Sequence, residues 1–237
     1  MKYIASLSGG KDSVALTLGL IEKGYPLDEV VYYDNGMDFK SIHDVIYNQV
    51  KPALDTHDIK LVTLHPKNNF MYDMFERPVK YRKKEGCHYG YSWCGGACRW
   101  GTTAKLRCIE EHTNGSMEYV GIASDEISRL EKERKSTKLF PLADWGWAEA
   151  DCLVYCRSKG ISWWEGDVDL YDVLDRVSCW CCRNKNLKEL KAMWKYLPEY
   201  WEKLKSLQSR TDMPFKKYGS VFELEKRFEN EEANQRR

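Results

Sequence analysis

Six residues near the start of the chain, Ser8-Gly9-Gly10-Lys11-Asp12-Ser13, set two glycines, an ammonium, a carboxylate and two hydroxyls between two apolar runs. Glycine lets a backbone come close to a ligand and turn its N–H groups toward it. A helix that begins here adds unpaired N–H groups and the positive end of its dipole, a setting that draws anions. Lys11 contributes a full charge, and Ser8 and Ser13 contribute hydroxyl donors. A phosphate or pyrophosphate is the ligand these groups suit best. The plainer alternative is an N-cap turn with Asp12 or Ser13 as the cap. The spacing matches neither G-x-x-x-x-G-K-S/T nor G-x-G-x-x-G.

Thiols are the second source of chemistry: the chain of 237 residues has nine cysteines. In a reducing compartment, clustered cysteines lean toward metal or redox work rather than disulfides. Cys179 and Cys182, in Cys179-Trp180-Cys181-Cys182, form a C-x-x-C pair, which is half of a tetrahedral metal site. Cys94 and Cys98 are the candidates for the other half, with Cys87 and His88 next in line. Two glycines between Cys94 and Cys98 permit a tight loop. Four thiolates hold zinc or a [4Fe–4S] cluster, and spacing does not separate the two. The alternative is that free thiols pack as small apolar groups. For Cys108, and for Cys152 and Cys156 on one helix, that alternative is the better account.

These groups need elements to position them. The apolar run 3–7 predicts a buried strand, and 12–23 predicts a helix closed by Gly24 and followed by Pro26. Residues 29–34 predict a second strand. Strand, helix and strand within about 30 residues make a βαβ unit, which implies a parallel sheet. The alternation continues with a helix over 39–50, a strand over 59–65, a helix over 102–112 and a strand over 117–123. Residues 1–145 are therefore expected to form an α/β nucleotide-binding domain with its ligand at the strand ends. Residues 146–237 are expected to be a helical region carrying the Cys-Trp-Cys-Cys motif. Its helices fall over 147–160, 186–197 and 198–207, and its charged tail frays after Phe228. Segment 66–101 shows no clear periodicity, and loops that long are usually functional or mobile.

Ser8–Ser13 resembles the PP-loop of the ATP pyrophosphatase, or adenine nucleotide alpha-hydrolase, superfamily. Three further segments resemble its phosphoadenosine phosphosulfate (PAPS) reductase-like family. Asp34-Asn35-Gly36-Met37-Asp38-Phe39 is similar to D-T-G-x-x-F, although a strand-to-helix turn using Asn and Gly also accounts for it. Residues 121–130, "GIASDEISRL", are similar to G-I-R-x-x-E-S-x-R through Gly121, Ile122, Glu126 and Arg129. Ala123 stands in place of the usual arginine and Ile127 in place of the serine. Arg129, Arg134 or Lys135 would then supply the phosphate or sulfate contact, the alternative being a solvated basic loop. Residues 141–145, "PLADW", match P-L-x-D-W. The likeness runs from residue 3 to about 185.

The resemblance implies a Rossmann-like, parallel-sheet alpha-hydrolase fold whose members bind ATP or an adenylyl-sulfate and work at the α-phosphate. It implies a nucleotide held by Ser8, Gly9, Gly10, Lys11, Asp12, Ser13, Asp34, Gly36, Gly121 and Glu126. Lys11, Asp12 and Arg129 would act at the reacting phosphate, with Asp12 organising Mg²⁺ if ATP is the substrate. It favours a [4Fe–4S] cluster over zinc on Cys94, Cys98, Cys179 and Cys182, although the family's mid-chain pair is adjacent and this one is four apart. The expected function is adenylyl transfer from ATP or a related adenine nucleotide to an unknown acceptor, with pyrophosphate release and coupled sulfur transfer. One alternative is reduction of adenylyl-sulfate or PAPS to sulfite. The family's reductases carry a nucleophilic cysteine in a C-terminal E-C-G-I/L-H-like tail, and residues 183–237 hold no cysteine. The other alternative is a non-catalytic nucleotide or nucleic-acid binding module with a structural metal.

Residues 77–94 interleave Arg77, Lys80, Arg82, Lys83 and Lys84 with Tyr81, Tyr89, Tyr91 and Trp93. Phosphate contact plus aromatic stacking is how single-stranded nucleic acid is often held, and a lid over the nucleotide or an exposed charged loop are the alternatives. A net charge of +1 excludes a bulk electrostatic argument for a nucleic-acid or membrane partner, though not a local patch. The opening residues lack a secretory leader pattern, and no window approaches the ~18 apolar residues of a membrane span. A soluble, cytoplasmic protein with no membrane partner is expected.

Overall fold

The run Tyr3–Leu7 forms β1, followed by α1 over Lys11–Glu22 and β2 over Glu29–Tyr33. The other strands of the same sheet are β3 (Lys60–Leu64), β4 (Met117–Tyr119) and β5 (Lys138–Leu139). The structure, a computed structural model, describes residues 1–133 and 136–235. Arg134 and Lys135, candidates for the anion contact, lie outside the described residues.

All five strands are parallel, in the order β3-β2-β1-β4-β5. The central sheet flanked by helices makes this an α/β, Rossmann-like fold with a helical C-terminal part. All five residues of β2 are buried, as expected for a strand covered on both faces. From β1 the chain steps outward to β3, then returns past β1 to β4. Open parallel sheets bind ligands at such a reversal, beyond the carboxyl ends of the strands. Here that point lies between β1 and β4.

Two local departures from expectation have steric causes. The helix expected over 39–50 continues to Thr56 as Lys40–Val45, a π-helical turn Ile46–Val50 and Lys51–Thr56. Pro52 lacks an N–H and its ring would crowd the carbonyl four residues back, so a widened turn before it relieves the clash. Strand β4 stops at Tyr119 rather than 123, because Ile122 N turns back to Val120 O at 2.9 Å.

The chain divides into two compact units: Met1–Pro66 with Ala104–Trp164, and Lys67–Thr103 with Glu165–Arg237. This division differs from the single boundary expected near residue 145. Helix Glu149–Ser158 belongs to the first unit because it buries Cys152 and Cys156 fully, and Cys156 Sγ donates to Lys11 O of α1 at 3.4 Å.

In the second unit, helices Leu187–Tyr196, Pro198–Gln208 and Val221–Gln235 enclose Leu190, Met193, Trp201, Leu204, Phe215, Leu224 and Phe228. Asn186 and Glu189 form a capping box that starts the first of them. The last helix does not fray after Phe228. Glu231 and Glu232 pair with Lys191 and Lys195 at 2.9 and 3.0 Å, which carries it to Gln235. Segment 67–103 is not structureless: it holds helix Phe70–Phe75 and an antiparallel hairpin of Pro78–Lys80 with Cys87–Tyr89. Among the described residues, no helix is long and apolar enough to cross a membrane.

Candidate functional site

The loop Ser8–Ser13 joins β1 to α1 at the point where the strand order reverses. Its residues are knitted to one another. Ser13 Oγ accepts from Ser8 N at 3.0 Å and donates to Gly10 O at 3.0 Å, and the two serine hydroxyls lie 3.0 Å apart. The N-cap is Gly10, and no side chain caps the helix. The alternative of Asp12 or Ser13 as an ordinary cap is therefore not what forms.

Gly9 has φ of +74°, and a Cβ there would lie 2.6 Å from Ile42 Cγ2 and 2.9 Å from Ile46 Cδ1. Only glycine meets both demands. Its carbonyl accepts from Trp163 Nε1 at 2.7 Å, so the loop is braced from two directions. Gly121, just past β4, faces the same loop: a Cβ there would lie 3.1 Å from Ser13 Cα and 3.2 Å from Ser13 N. Sequence reasoning singled out Gly121, and its place here is a close backbone approach.

Lys11 is buried, and its Nζ donates to Asp12 Oδ1 and to Glu149 Oε2, both at 2.7 Å. Burial pulls the ammonium down, but these two carboxylates more than offset that and its pKa is raised. Burial pushes the Asp12 carboxyl up, opposed by Lys11 and assisted by Glu149 and Glu126. Cys152 and Cys156 underlie the loop, as expected of packed thiols. Burial, then the Asp12 charge, pushes Cys156 up to about 12 and Cys152 higher still.

Glu126 and Arg129 meet each other. Arg129 Nη1 donates to both Glu126 oxygens, at 3.0 and 3.2 Å, while Ala123 N donates to Glu126 Oε2 at 3.3 Å. Ala123 itself is fully buried. Asp125 accepts from Glu149 N at 3.2 Å, which ties the next helix to this turn.

Asp34 and Gly36 form a tight turn after β2. Gly36 N donates to Asp34 Oδ1 at 2.7 Å, Met37 N donates to Asn35 Oδ1 at 2.7 Å, and Gly36 has φ of +76°. The turn reading of this segment therefore holds. Asp34, Asp38 and His43 each present a ligand-type atom within 4.8 Å of the others, a grouping the sequence analysis missed. Tyr32 Oη donates to Asp38 at 2.8 Å.

In the second unit, the two cysteine loops lie side by side. Asn184 accepts from Gly96 N at 2.8 Å and donates to Gly96 O at 2.9 Å. A Cβ on Gly101 would lie 3.6 Å from Cys179 Sγ. The loop that carries Cys94 and Cys98 is thus hydrogen-bonded to the one that follows Cys182. Among the described residues, however, no three thiol sulfurs lie within 4.8 Å of one another.

Burial, then neighbouring thiols, pushes Cys94 up, and pushes Cys181 well up. Arg183 opposes the rise at Cys94. Burial pulls the Lys185 and Lys216 ammoniums down, opposed at Lys185 by Glu189, Cys182, Cys179 and Cys181 and at Lys216 by Cys182. The Trp93 and Trp100 indole N–H groups are buried without an acceptor. Soft thiol donors with the Arg183 guanidinium beside Cys94 fit an anionic metal–thiolate centre. Cys87 is exposed and sits on the hairpin.

On that hairpin, Lys80, Arg82, Lys83 and Lys84 are exposed and Tyr89 is 71% exposed. Arg99 lies over the Tyr91 ring at 3.9 Å, and Lys84 over Tyr81 at 4.2 Å. Trp93 and Trp100 are core residues, packed on Phe215 and Phe70, so neither offers a stacking face.

No family model matches the chain. It is 26% identical over 212 residues to an uncharacterized protein of Methanocaldococcus jannaschii, an alignment covering 84% of this chain and 40% of that protein. The chain thus spans about two fifths of the curated relative it matches. Among solved structures it is similar to the U34-tRNA thiolase NcsA from Methanococcus maripaludis with its [4Fe-4S] cluster. The identity is 14% and the TM-score 0.43, covering 97% of this chain and 72% of that one.

Proposed function

We propose that the protein is a PP-loop enzyme of the PAPS reductase-like type that binds ATP or a related adenine nucleotide and acts at its α-phosphate. The observation that carries this reading is the Ser8–Ser13 loop: a glycine-shaped turn at the reversal of a parallel sheet, backed by a helix N-terminus and a buried ammonium. Nucleotide phosphates would lie against Gly9, Gly10 and the start of α1. An acceptor oxygen attacks the α-phosphorus, the P–O bond to the β-phosphate breaks and pyrophosphate leaves. Lys11 would offset the charge that builds on the phosphate oxygens, and Asp12 would organise Mg²⁺. A sulfide-level donor would then displace AMP from the adenylylated acceptor.

Cys94, Cys98, Cys179 and Cys182 would hold a [4Fe–4S] cluster, with zinc as the alternative. Bound there, such a centre would supply soft-metal or redox chemistry. The exposed lysines, Arg82 and Tyr89 of the hairpin would contact a nucleic-acid acceptor through its phosphates and bases.

The test is product analysis after anaerobic purification, with iron, sulfide and zinc measured first. ATP with Mg²⁺ should give AMP and pyrophosphate, and the protein should carry iron and sulfide in near-equal amounts. Sulfite from adenylyl-sulfate or PAPS with a thiol would instead establish the reductase. ADP and orthophosphate from ATP would contradict attack at the α-phosphate.

A further inference from the structure

Glu149 was not among the expected site residues, yet it reaches the centre of the site. It lies 138 positions from Lys11 in the chain and ends 2.7 Å from its Nζ. It opens helix Glu149–Ser158, whose first turn is fixed by two other acids. Asp125 accepts from Glu149 N at 3.2 Å, and Asp151 accepts from Ala148 N at 2.9 Å. The Glu149 carboxylate is therefore not spent on the helix start. It is aimed at the ammonium.

The local charge makes that contact consequential. Among the described residues, Asp12, Glu126 and Glu149 set three carboxylates against the cations Lys11 and Arg129. A phosphate arriving at such a loop meets an ammonium already held by two acids. The two are not equally fixed. Asp12 is adjacent in sequence, its side chain is 27% exposed, and the Cys152 thiol lies beneath it. The Glu149 side chain is 43% exposed and, among the described residues, is anchored through its backbone and Lys11. An ion pair that is half open to water is worth little, so a multiply charged phosphate can displace it.

We propose that Glu149 is a displaceable counter-ion for Lys11: it occupies the ammonium while no nucleotide is bound and is expelled by an incoming phosphate. This rests on the phosphate-binding reading of the Ser8–Ser13 loop. Glu149 is a positioning residue. It holds Lys11 in place and sets the threshold that an anion must overcome.

The experiment is calorimetric titration of inorganic pyrophosphate, without divalent cations, into the full chain and its Glu149→Gln and Lys11→Ala variants. Glutamine keeps the size and the helix start but removes the charge, and an unchanged circular dichroism spectrum verifies the fold. Glu149→Gln is expected to bind pyrophosphate about fivefold more tightly, ~1 kcal/mol at tenfold per 1.4 kcal/mol, while Lys11→Ala binds more weakly. A gain in affinity is something a merely structural glutamate does not give. Equal or weaker binding by Glu149→Gln, with Lys11→Ala still impaired, overturns the counter-ion role and leaves the phosphate reading standing. Wild-type affinity in Lys11→Ala overturns both.

Discussion

Gly9→Ala is expected to destabilise the protein by about 2–5 kcal/mol and to remove nucleotide binding with it. Two costs add. A non-glycine residue at φ +74° costs about 1–2 kcal/mol. A methyl group 2.6 Å from Ile42 Cγ2 and 2.9 Å from Ile46 Cδ1 forces the flanking helix aside, which costs about 1–3 kcal/mol in a packed core. Whole-protein stability is of order 5–15 kcal/mol, so the melting temperature should fall by on the order of 10 °C. Gly24→Ala is the matched control: φ is +67° and nothing lies within 4 Å of its Cβ. It should show only the conformational cost. Equal losses in the two variants would contradict the close-contact account of Gly9.

Lys11→Ala is expected to lower the rate of pyrophosphate release from ATP by about 10²–10³, the usual cost of removing one donor aimed at developing charge. The effect exceeds the loss of one contact. Asp12 and Glu149 both end 2.7 Å from Lys11 Nζ, so removing the ammonium leaves two carboxylates uncompensated at the mouth of the loop. They would repel a phosphate as well as one another. Adding Glu149→Gln to Lys11→Ala should therefore recover part of the lost binding but not the turnover, a non-additive result expected of groups in one network. Steady-state kinetics and calorimetry on the four proteins of this cycle measure both terms. Undiminished turnover in Lys11→Ala would remove the residue from the chemistry.

What the sequence disclosed was local. The βαβ start was readable because Gly24 and Pro26 punctuate it, and the loop because its glycines and charges fit no apolar role. Segment 121–130 was readable only in part. Gly121 was singled out, but its reason, a 3.1 Å approach to Ser13 Cα, depends on β4 lying beside β1. The braces on the loop were not readable. Glu149 and Trp163 reach Lys11 and Gly9 from 138 and 154 residues away, and nothing in periodicity or spacing couples positions so distant. An acid at the start of a helix reads as a response to the helix dipole, which hides a second partner. The charged tail looked ready to fray because its ion-pair partners, Lys191 and Lys195, sit on another helix. Trp93 looked like a stacking aromatic because aromatic rings interleaved with basic residues do not reveal which of them face inward.

The central claim is that nucleotide phosphates rest on the backbone of the Ser8–Ser13 loop. The most direct measurement is amide nuclear magnetic resonance of the labelled protein during titration with ATP and Mg²⁺. The account predicts that the largest shifts fall on the N–H groups of Gly9, Gly10, Lys11 and Asp12, and that pyrophosphate alone reproduces them. Shifts concentrated elsewhere, with those four amides unmoved at saturation, would contradict it.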